Sequence, residues 1–249
     1  MLPKFYGNFV RGALGWKLGE IFCKQNSVIC EKGAECDFVA DCVYSSCFKT
    51  MFAGDNSSGS VPPPFSIEPM SDNFFTVTLF GSACARCGEY MSALSEINKL
   101  GNIEIEVIEV SEIYRRDWNY GTTRGITDIE LEFITPTHIT IDGKLAEELP
   151  FPLFIDNLLS RISHILDIYG EEPFFLEYGI VTRKPYINTK NNLKIVSVKQ
   201  QGFVKSGVVG KVYFHGELDK YMPYIDLGTQ IHVGKLAASG FGVYNLKIF

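Results

Sequence analysis

Hydrophobic and polar positions in the second half of the chain follow the two periods of regular secondary structure. Alternation over 129–134 predicts a strand, and apolar residues three to four apart predict a long amphipathic helix from Phe151 to Tyr169. Runs of the same kinds predict strands near 193–200 and 207–214, a short helical segment at 218–227 and a final strand at 241–248. This order, βαββαβ, is that of a ferredoxin-like unit.

The first half repeats this order, with its opening strand missing or confined to Met1–Tyr6. The pattern predicts a helix over 8–23, strands at 65–69 and 74–81, a helix from Cys84 to Leu100, and an alternating strand at 103–110. A polar and aromatic segment, 111–127, separates the halves. We therefore predict an α+β protein of two tandem ferredoxin-like domains. They are residues 1–125, with a cysteine-rich insertion at 23–60, and residues 126–249.

Composition narrows the class of protein. The chain has 249 residues, of which 46% are hydrophobic and 21% charged, and these values exclude a disordered, collagenous or coiled-coil protein. It contains no apolar run of about 18 residues, so we expect no membrane span. Charged residues interrupt the N-terminal segment, which therefore lacks a signal-peptide run. We expect a cytoplasmic protein.

Charge is distributed unevenly along the chain. The formal net charge is -6, which by itself argues against nucleic-acid binding. Residues 176–249 hold ten basic and four acidic side chains, whereas residues 1–175 hold 13 basic and 25 acidic ones. This polarity would steer an anionic partner toward the C-terminal part. Chance and solvated strand faces explain it equally well.

A glycine-rich segment precedes the last predicted strand. Gly234, Gly240 and Gly242 surround small residues, with Lys235 among them. Glycines let backbone N–H groups approach a phosphate closely, and a lysine adds positive charge. The segment lacks the G-K-[ST] of a P-loop and opens a strand, whereas a dinucleotide-binding fingerprint opens a helix.

Several motifs occur in an order that is typical of one family. The sequence VRGALG occupies 10–15, and cysteines follow it up to Cys42-Val43-Tyr44. Further motifs are PPPF at 62–65, TVTLFG at 76–81, FITP at 133–136, GKVYF at 210–214 and HVGKLAASGFGVY at 232–244. In this order the chain resembles the CRISPR repeat-RNA processing endoribonucleases of the RAMP superfamily over nearly its whole length.

The resemblance implies tandem ferredoxin-like domains that bind CRISPR repeat RNA, cleave it without a metal cofactor and retain the product. A 2′-hydroxyl attacks the adjacent phosphate, which leaves a 2′,3′-cyclic phosphate and a 5′-hydroxyl. Many members carry a histidine on or near the first helix, but here no histidine precedes His138. The implied catalytic candidates are His232, Tyr6 and Lys17. The implied RNA-binding candidates are Arg11, Gly234, Lys235, Ser239, Gly240, Gly242, Arg183 and Lys184.

Two other functions fit parts of the sequence. A RAMP-fold subunit could hold CRISPR RNA within an effector complex, together with other subunits, without cutting it. Alternatively, Cys84-x-x-Cys87 at the start of a helix, with Thr135-Pro136 downstream, resembles a thioredoxin-like thiol oxidoreductase. That interpretation leaves the segments before and after it, including the glycine-rich segment, without an explanation.

The cysteine-rich insertion has two interpretations. Its thiolates could bind a structural zinc ion, since an irregular segment with few apolar residues gains much from such a ligand set. Otherwise they are small hydrophobic residues or form disulfides. The candidate zinc ligands are Cys23, Cys30, Cys36 and Cys42.

Overall fold

The computed structural model describes residues 5–24, 36–38, 41–48, 61–70, 74–112, 125–170, 187–200 and 203–249. Its α-helices are α1 (Gly7–Phe22), α2 (Cys87–Ser95), α3 (Phe151–Tyr169) and α4 (Met222–Ile231). Its strands are β1 (Phe65–Pro69), β2 (Phe75–Leu79), β3 (Lys99–Leu100), β4 (Ile103–Glu104), β5 (Asp128–Thr137), β6 (Thr140–Ile141), β7 (Lys144–Leu145), β8 (Asn188–Gln200), β9 (Phe203–His215) and β10 (Tyr244–Ile248).

The second half forms a four-stranded sheet in the order β10-β5-β9-β8, with every neighbouring pair antiparallel. Strand β9 lies between β5 and β8, which are therefore parallel to each other and connected by α3. This is the ferredoxin-like arrangement predicted from the sequence. Strand β5 continues through Pro136, where the pairing with β9 is irregular between Phe133 and Thr137.

An aromatic core joins this sheet to its helices. The ring of Phe154 on α3 lies 6.3 Å from Phe133, 5.6 Å from Phe214 and 5.8 Å from Tyr244, between ring centroids. All four side chains are almost fully buried. Because apolar residues recur every three to four positions along α3, one face of that helix packs continuously on the sheet.

In the first half the structure agrees with the predicted elements only in part. Helix α1 and the β1–β2 hairpin lie where they were predicted, with Phe65 paired to Leu79. The helix predicted from Cys84 to Leu100 is wrong in its extent. A 3₁₀ turn occupies Gly81–Arg86, α2 ends at Ser95, and Lys99–Leu100 forms β3. Leu100 therefore turns into a short hairpin with β4, and Gly101, with φ of 61°, supplies its turn.

The strand predicted over 103–110 is also wrong in its extent, since only Ile103–Glu104 pairs. Ile105 and Val107 nevertheless pack against the core of the first half, whereas Ile108 is 94% exposed. The alternation of hydrophobic and polar residues therefore indicates which side chains face the core, but it does not show that the segment pairs with another strand. Among the described residues nothing extends β4 beyond Glu104.

Two sequence predictions lie largely outside the described residues. An opening strand within Met1–Tyr6 is described only at Phe5 and Tyr6, which precede α1 without strand pairing. Most of the segment 111–127 is likewise outside the description. In the described ranges, no helix is long and apolar enough to cross a membrane.

The two halves meet at the glycine-rich segment. Its 3₁₀ turn, Ala237–Ser239, contacts both α1 and β1. Ala238 belongs to the buried core of the first half, although it lies far along the chain. The Ser66 hydroxyl on β1 donates a 2.6 Å hydrogen bond to the Gln230 carbonyl on α4. This contact region is called the seam below.

Candidate functional site

The segment between α4 and β10, residues 232–243, is called the glycine loop. It reverses direction at three glycines with positive φ: 79° at Gly234, 85° at Gly240 and 75° at Gly242. A Cβ at Gly242 would lie 1.9 Å from the Val233 carbonyl oxygen, so only glycine fits there. The loop is therefore a tightly closed structure.

Helix α1 begins directly against this loop. A Cβ at Gly7 would lie 2.6 Å from the Ser239 carbonyl oxygen and 3.1 Å from the Gly240 Cα. The close approach of two glycines thus brings the start of α1 onto the loop. The start of α1 and the glycine loop therefore belong to one region of the molecule, whereas Lys17 lies ten residues further along the helix.

Backbone amides of the loop are largely occupied within the protein. The amides of Ser239, Gly240 and Gly242 donate to the carbonyls of Leu236, Ala237 and Pro136, at 2.8, 2.9 and 3.1 Å. These glycines consequently serve the fold of the loop. The Lys235 side chain is exposed, and its Nζ lies 3.3 Å from the Thr140 hydroxyl. It is the cation that the loop presents to solvent.

His232 lies at the first position of the loop and is only 1% exposed. Burial, and then the charge of nearby Arg161, lowers the pKa of its imidazole to about 3. The ring is therefore neutral near pH 7 and closed off from solvent. This placement gives it no direct route to a substrate hydroxyl.

The three candidates on and before α1 have different surroundings. Tyr6 is buried, and its hydroxyl donates to the Phe74 carbonyl at 2.8 Å. The Lys17 ammonium lies 2.8 Å from a carboxylate oxygen of Glu20, one helical turn away. Lys17 thus keeps a positive charge on this helix, whereas Tyr6 is used in packing.

Arg11 lies on α1, one helical turn after Gly7. Its guanidinium carbon is 4.9 Å from the centroid of the Phe48 ring. Burial lowers its pKa, while Tyr44 and Tyr90 act in the opposite direction. Its Nε has no hydrogen-bond partner among the described residues. A half-buried guanidinium of this kind favours an anion.

Sequence reasoning missed three residues of this region. Tyr44 and Tyr90 lie close enough to influence Arg11. Arg161 on α3 donates through Nε to the Ile231 carbonyl, at 2.8 Å, immediately before the loop. Tyr44 stands in the Cys42-Val43-Tyr44 motif, which was a signal, whereas the pattern around Tyr90 and Arg161 is that of ordinary amphipathic helices.

Basic side chains of the second half share a sheet face with acidic ones. The Lys211 ammonium lies 2.8 Å from a Glu130 carboxylate oxygen, and Lys247 is directly opposite Glu130 on β10. Glu132 is likewise opposite Lys211. The charge count from the sequence placed the carboxylates of β5 with residues 1–175, although β5 pairs with strands from residues 176–249. In space, part of the predicted positive excess is neutralised.

The cysteine predictions remain untested in part. Cys23 and Cys36 carry free thiols, and within the described ranges no three metal-ligating side chains, those of Cys42 included, come together. Cys30 lies outside those ranges, as do Arg183 and Lys184. The Cys84 thiol, at the start of the predicted C-x-x-C motif, donates to the Leu79 carbonyl at 3.4 Å.

Comparisons with known proteins place this geometry in context. Residues 1–119 match the model of the AF_1859 N-terminal domain, and residues 131–244 match the model of the CRISPR-associated endoribonuclease Cas6. No curated protein matches the chain in sequence.

Solved structures share the fold at low sequence identity. A Cas6 product complex aligns with a TM-score of 0.66 at 12% identity, covering 99% of this chain and 96% of the other. Thermus thermophilus Cas6 aligns with a TM-score of 0.57 at 13% identity, covering 99% and 93%. Another Cas6 product complex aligns with a TM-score of 0.54 at 20% identity, covering 75% and 83%.

The family match ends inside β10 and so includes the whole glycine loop. The fold extends the likeness over the first half, where α1 meets that loop. Residues 131–244 therefore match the Cas6 family of CRISPR-associated endoribonucleases, and the chain shares its fold with solved Cas6 structures.

Proposed function

We propose that this protein cleaves precursor CRISPR RNA within its repeats and keeps the product bound. The observation that carries the proposal is the family match over residues 131–244, which contains the loop joining the two halves. Two of the similar solved structures are Cas6 product complexes. The reaction transfers the phosphate from the 5′-oxygen to the neighbouring 2′-oxygen, so a proton leaves the 2′-hydroxyl and another reaches the 5′-oxygen.

The site that fits this reaction is the seam between α1 and the glycine loop. Arg11 lies on α1 one helical turn after Gly7, with a buried Nε that has no hydrogen-bond partner among the described residues, and Lys235 offers an exposed ammonium from the loop. Cations placed beside a phosphate stabilise the negative charge that develops during cleavage. Arg11, Lys235 and the Ser239 side chain are our candidates for phosphate contact.

Proton transfer requires a different assignment from the one the sequence favoured. His232 is buried and neutral, and Tyr6 already donates to Phe74. Lys17 is the remaining predicted candidate, with its ammonium beside Glu20. We assign it the part of general acid, and we assign Arg11 and Lys235 the larger part through electrostatic stabilisation.

Partners and compartment follow from this substrate. The protein binds CRISPR repeat RNA, retains the processed strand and passes it to other CRISPR effector subunits. Since transcripts of this kind are processed where they are made, the cytoplasm is the compartment we propose. We also propose that the two domains divide between residues 125 and 126, and that the cysteine-rich insertion at 23–60 binds a structural zinc ion. Cleavage itself uses no metal ion.

A cleavage assay with the genomic repeat RNA in EDTA tests the proposal. We expect cleavage at one position in the repeat and a 2′,3′-cyclic phosphate on the upstream product, identified by mass spectrometry. Binding without cleavage would instead indicate a subunit that only holds RNA. Disulfide reduction without RNA affinity would indicate the thiol oxidoreductase.

Variants locate the site. We expect Arg11→Ala to lower the cleavage rate by on the order of a hundredfold, because it removes a cation from the developing charge. Lys235→Ala should weaken RNA binding and flatten its salt dependence by about one unit of slope. Lys99→Ala, an exposed lysine on β3, is the matched control for both. Equal effects of all three substitutions would contradict the assignment.

A further inference from the structure

His232 adopts a backbone conformation that is common only for glycine. Its φ is 63° and its ψ is 170°, in a region that side-chain-bearing residues rarely enter. The neighbouring positions Gly234, Gly240 and Gly242 show that glycine is freely used in this loop. A strained residue persists where the surrounding structure compensates for it. The imidazole of His232 therefore makes a contribution that glycine could not make.

That contribution is a link across the base of the loop. The His232 imidazole hydrogen-bonds to the backbone of Ala237, five residues further along the chain. Since Nδ1 has no partner among the described residues, the bond comes from Nε2–H, and Nδ1 is left with its lone pair. Ala237 begins the 3₁₀ turn that rests on α1. The ring thus connects the first residue of the loop to the turn at the seam.

Arg161 supports the same position from α3. Its Nε–H donates to the Ile231 carbonyl at 2.8 Å, at the C-terminal end of α4, where a positive charge is favoured. Its Nη2 is buried without a partner among the described residues. Burial lowers the pKa of Arg161 to about 10, so the guanidinium remains charged near pH 7. A buried cation of this kind is costly unless it holds something in place.

The two unpartnered atoms are complementary. Nη2 of Arg161 is a donor, Nδ1 of His232 is an acceptor, and the two groups are close enough to interact electrostatically. Both lie out of contact with solvent, beneath the loop. We infer that Arg161 and His232 are a positioning pair, joined through one water, which holds the Ala237–Ser239 turn against α1 for RNA cleavage.

This inference rests on the proposed function, because it names what positions the site, and it reassigns His232 from proton transfer to positioning. The pair acts through Ser239 and Gly240 on the start of α1, where Gly7 meets them. A displacement of about 1 Å at such a place can cost on the order of a hundredfold in rate. Loss of the pair should therefore lower the rate at saturating RNA more than it weakens RNA binding.

The principal variant is His232→Gly, which removes the ring and relieves the backbone strain. We expect only a small change in melting temperature, because relief of the strain offsets the cavity and the lost hydrogen bond, and a fall in the single-turnover cleavage rate by on the order of tenfold or more. The fall should be uniform from pH 5 to pH 9. An unchanged rate overturns the inference, and so does the loss of one limb of the pH profile, which would indicate proton transfer by His232.

Arg161 provides the second test. Arg161→Met should lower the rate to a similar extent, and Arg161→Lys should restore part of it, because lysine keeps a donor and a charge. The double variant of Arg161→Met with His232→Gly should be no slower than the slower single variant. Additive effects overturn the pairing. His164→Ala, an exposed position on the same helix, is the control that should leave the rate unchanged.

A spectroscopic measurement does not depend on activity. The chain has four histidines, so ¹⁵N spectra of labelled imidazoles can be assigned by substitution. We expect His232 to show the neutral Nε2–H tautomer throughout pH 5 to 9, and to shift at Nδ1 in Arg161→Met. A His232 ring that titrates in this range overturns the inference. Absence of cleavage by the wild-type protein would contradict the proposed function alone.

Discussion

The two halves of this protein start from the same order of predicted elements and reach different degrees of completeness. The second half closes a four-stranded sheet over α3 and α4, with its own aromatic core. The described strands of the first half form separate pairs, β1 with β2 and β3 with β4. Its core includes Ala238, which the other half supplies.

This difference assigns two roles to the glycine loop. For the second half it is the connection from α4 to β10. For the first half it is part of the packing surface of α1 and β1. A segment that completes a neighbouring core is held in a defined position, which suits a place where a phosphate must be oriented. The four predictions below test this dependence, in order of expected effect.

The largest effect is expected in the core of the second half. Phe154→Ala should lower the free energy of unfolding by about 3–5 kcal/mol, because it leaves a cavity among three aromatic rings. Phe65→Ala, in the first half, should cost a similar amount locally. Hydrogen exchange separates the two: Phe154→Ala should expose amides in both halves. Phe65→Ala should leave β5 and β9 protected, and their equal exposure would contradict the comparison.

A smaller effect is expected within the loop. Gly242→Ala should destabilise the protein by about 3 kcal/mol, because its Cβ would overlap the Val233 carbonyl oxygen. Gly143→Ala is the matched control, since Gly143 has nearly the same φ, 79°, but open space around it. That control should cost only about 1 kcal/mol, from the backbone conformation. Chemical denaturation measures both, and equal losses would show that the close contact is absent.

At the seam, the expected effect is smaller again. Gly7→Ala should cost about 1–3 kcal/mol, because its Cβ would lie 2.6 Å from the Ser239 carbonyl oxygen. It should also slow RNA cleavage by displacing α1 from the loop. Gly12→Ala, on the same helix with open space around it, should stabilise by about 0.5–1 kcal/mol. A stabilising Gly7→Ala would mean that α1 does not rest on the loop.

The smallest effect concerns acid stability of the sheet. The hydrogen bond from Lys211 lowers the pKa of Glu130 below its ordinary value of 4.5. The ionised carboxylate therefore stabilises the fold above pH 4.5, and this contribution is lost as the pH falls through the lowered pKa. Lys211→Gln should unfold at a slightly higher pH than the wild type, by circular dichroism. Lys194→Gln is the control and should leave the unfolding pH unchanged, because Lys194 lies opposite Val209 on the neighbouring strand.

The fold was predictable where one physical signal dominated. Helix α3 begins at Phe151 and ends at Tyr169, as its apolar period indicates, because a single face is buried along its whole length. The alternating segment 103–110 misled because burial of Ile105 and Val107 does not require strand pairing. The hydrophobic pattern of a segment indicates which side chains are buried, whereas strand pairing depends on whether another strand lies beside it.

The position of the glycine loop was predictable from the sequence, whereas the surroundings of the candidate residues were not. The glycines and Lys235 marked the loop correctly because their chemistry is visible in the sequence. The burial of His232, the support from Arg161 and the nearness of Tyr44 to Arg11 depend on packing between distant segments. The positive excess predicted for residues 176–249 was overestimated for the same reason, since the acidic strand β5 pairs with strands that follow residue 176.

Contact between Gly7 and Ser239 joins segments separated by roughly 230 residues, so it forms late in synthesis. While the ribosome is still making the second half, α1 and β1 have no Ala238 to complete their core. We therefore expect the core of the first half to remain incomplete until the glycine loop has been synthesised. Ribosome-stalled chains that end before the loop should therefore be cut by protease in the first half, and chains that include it should resist.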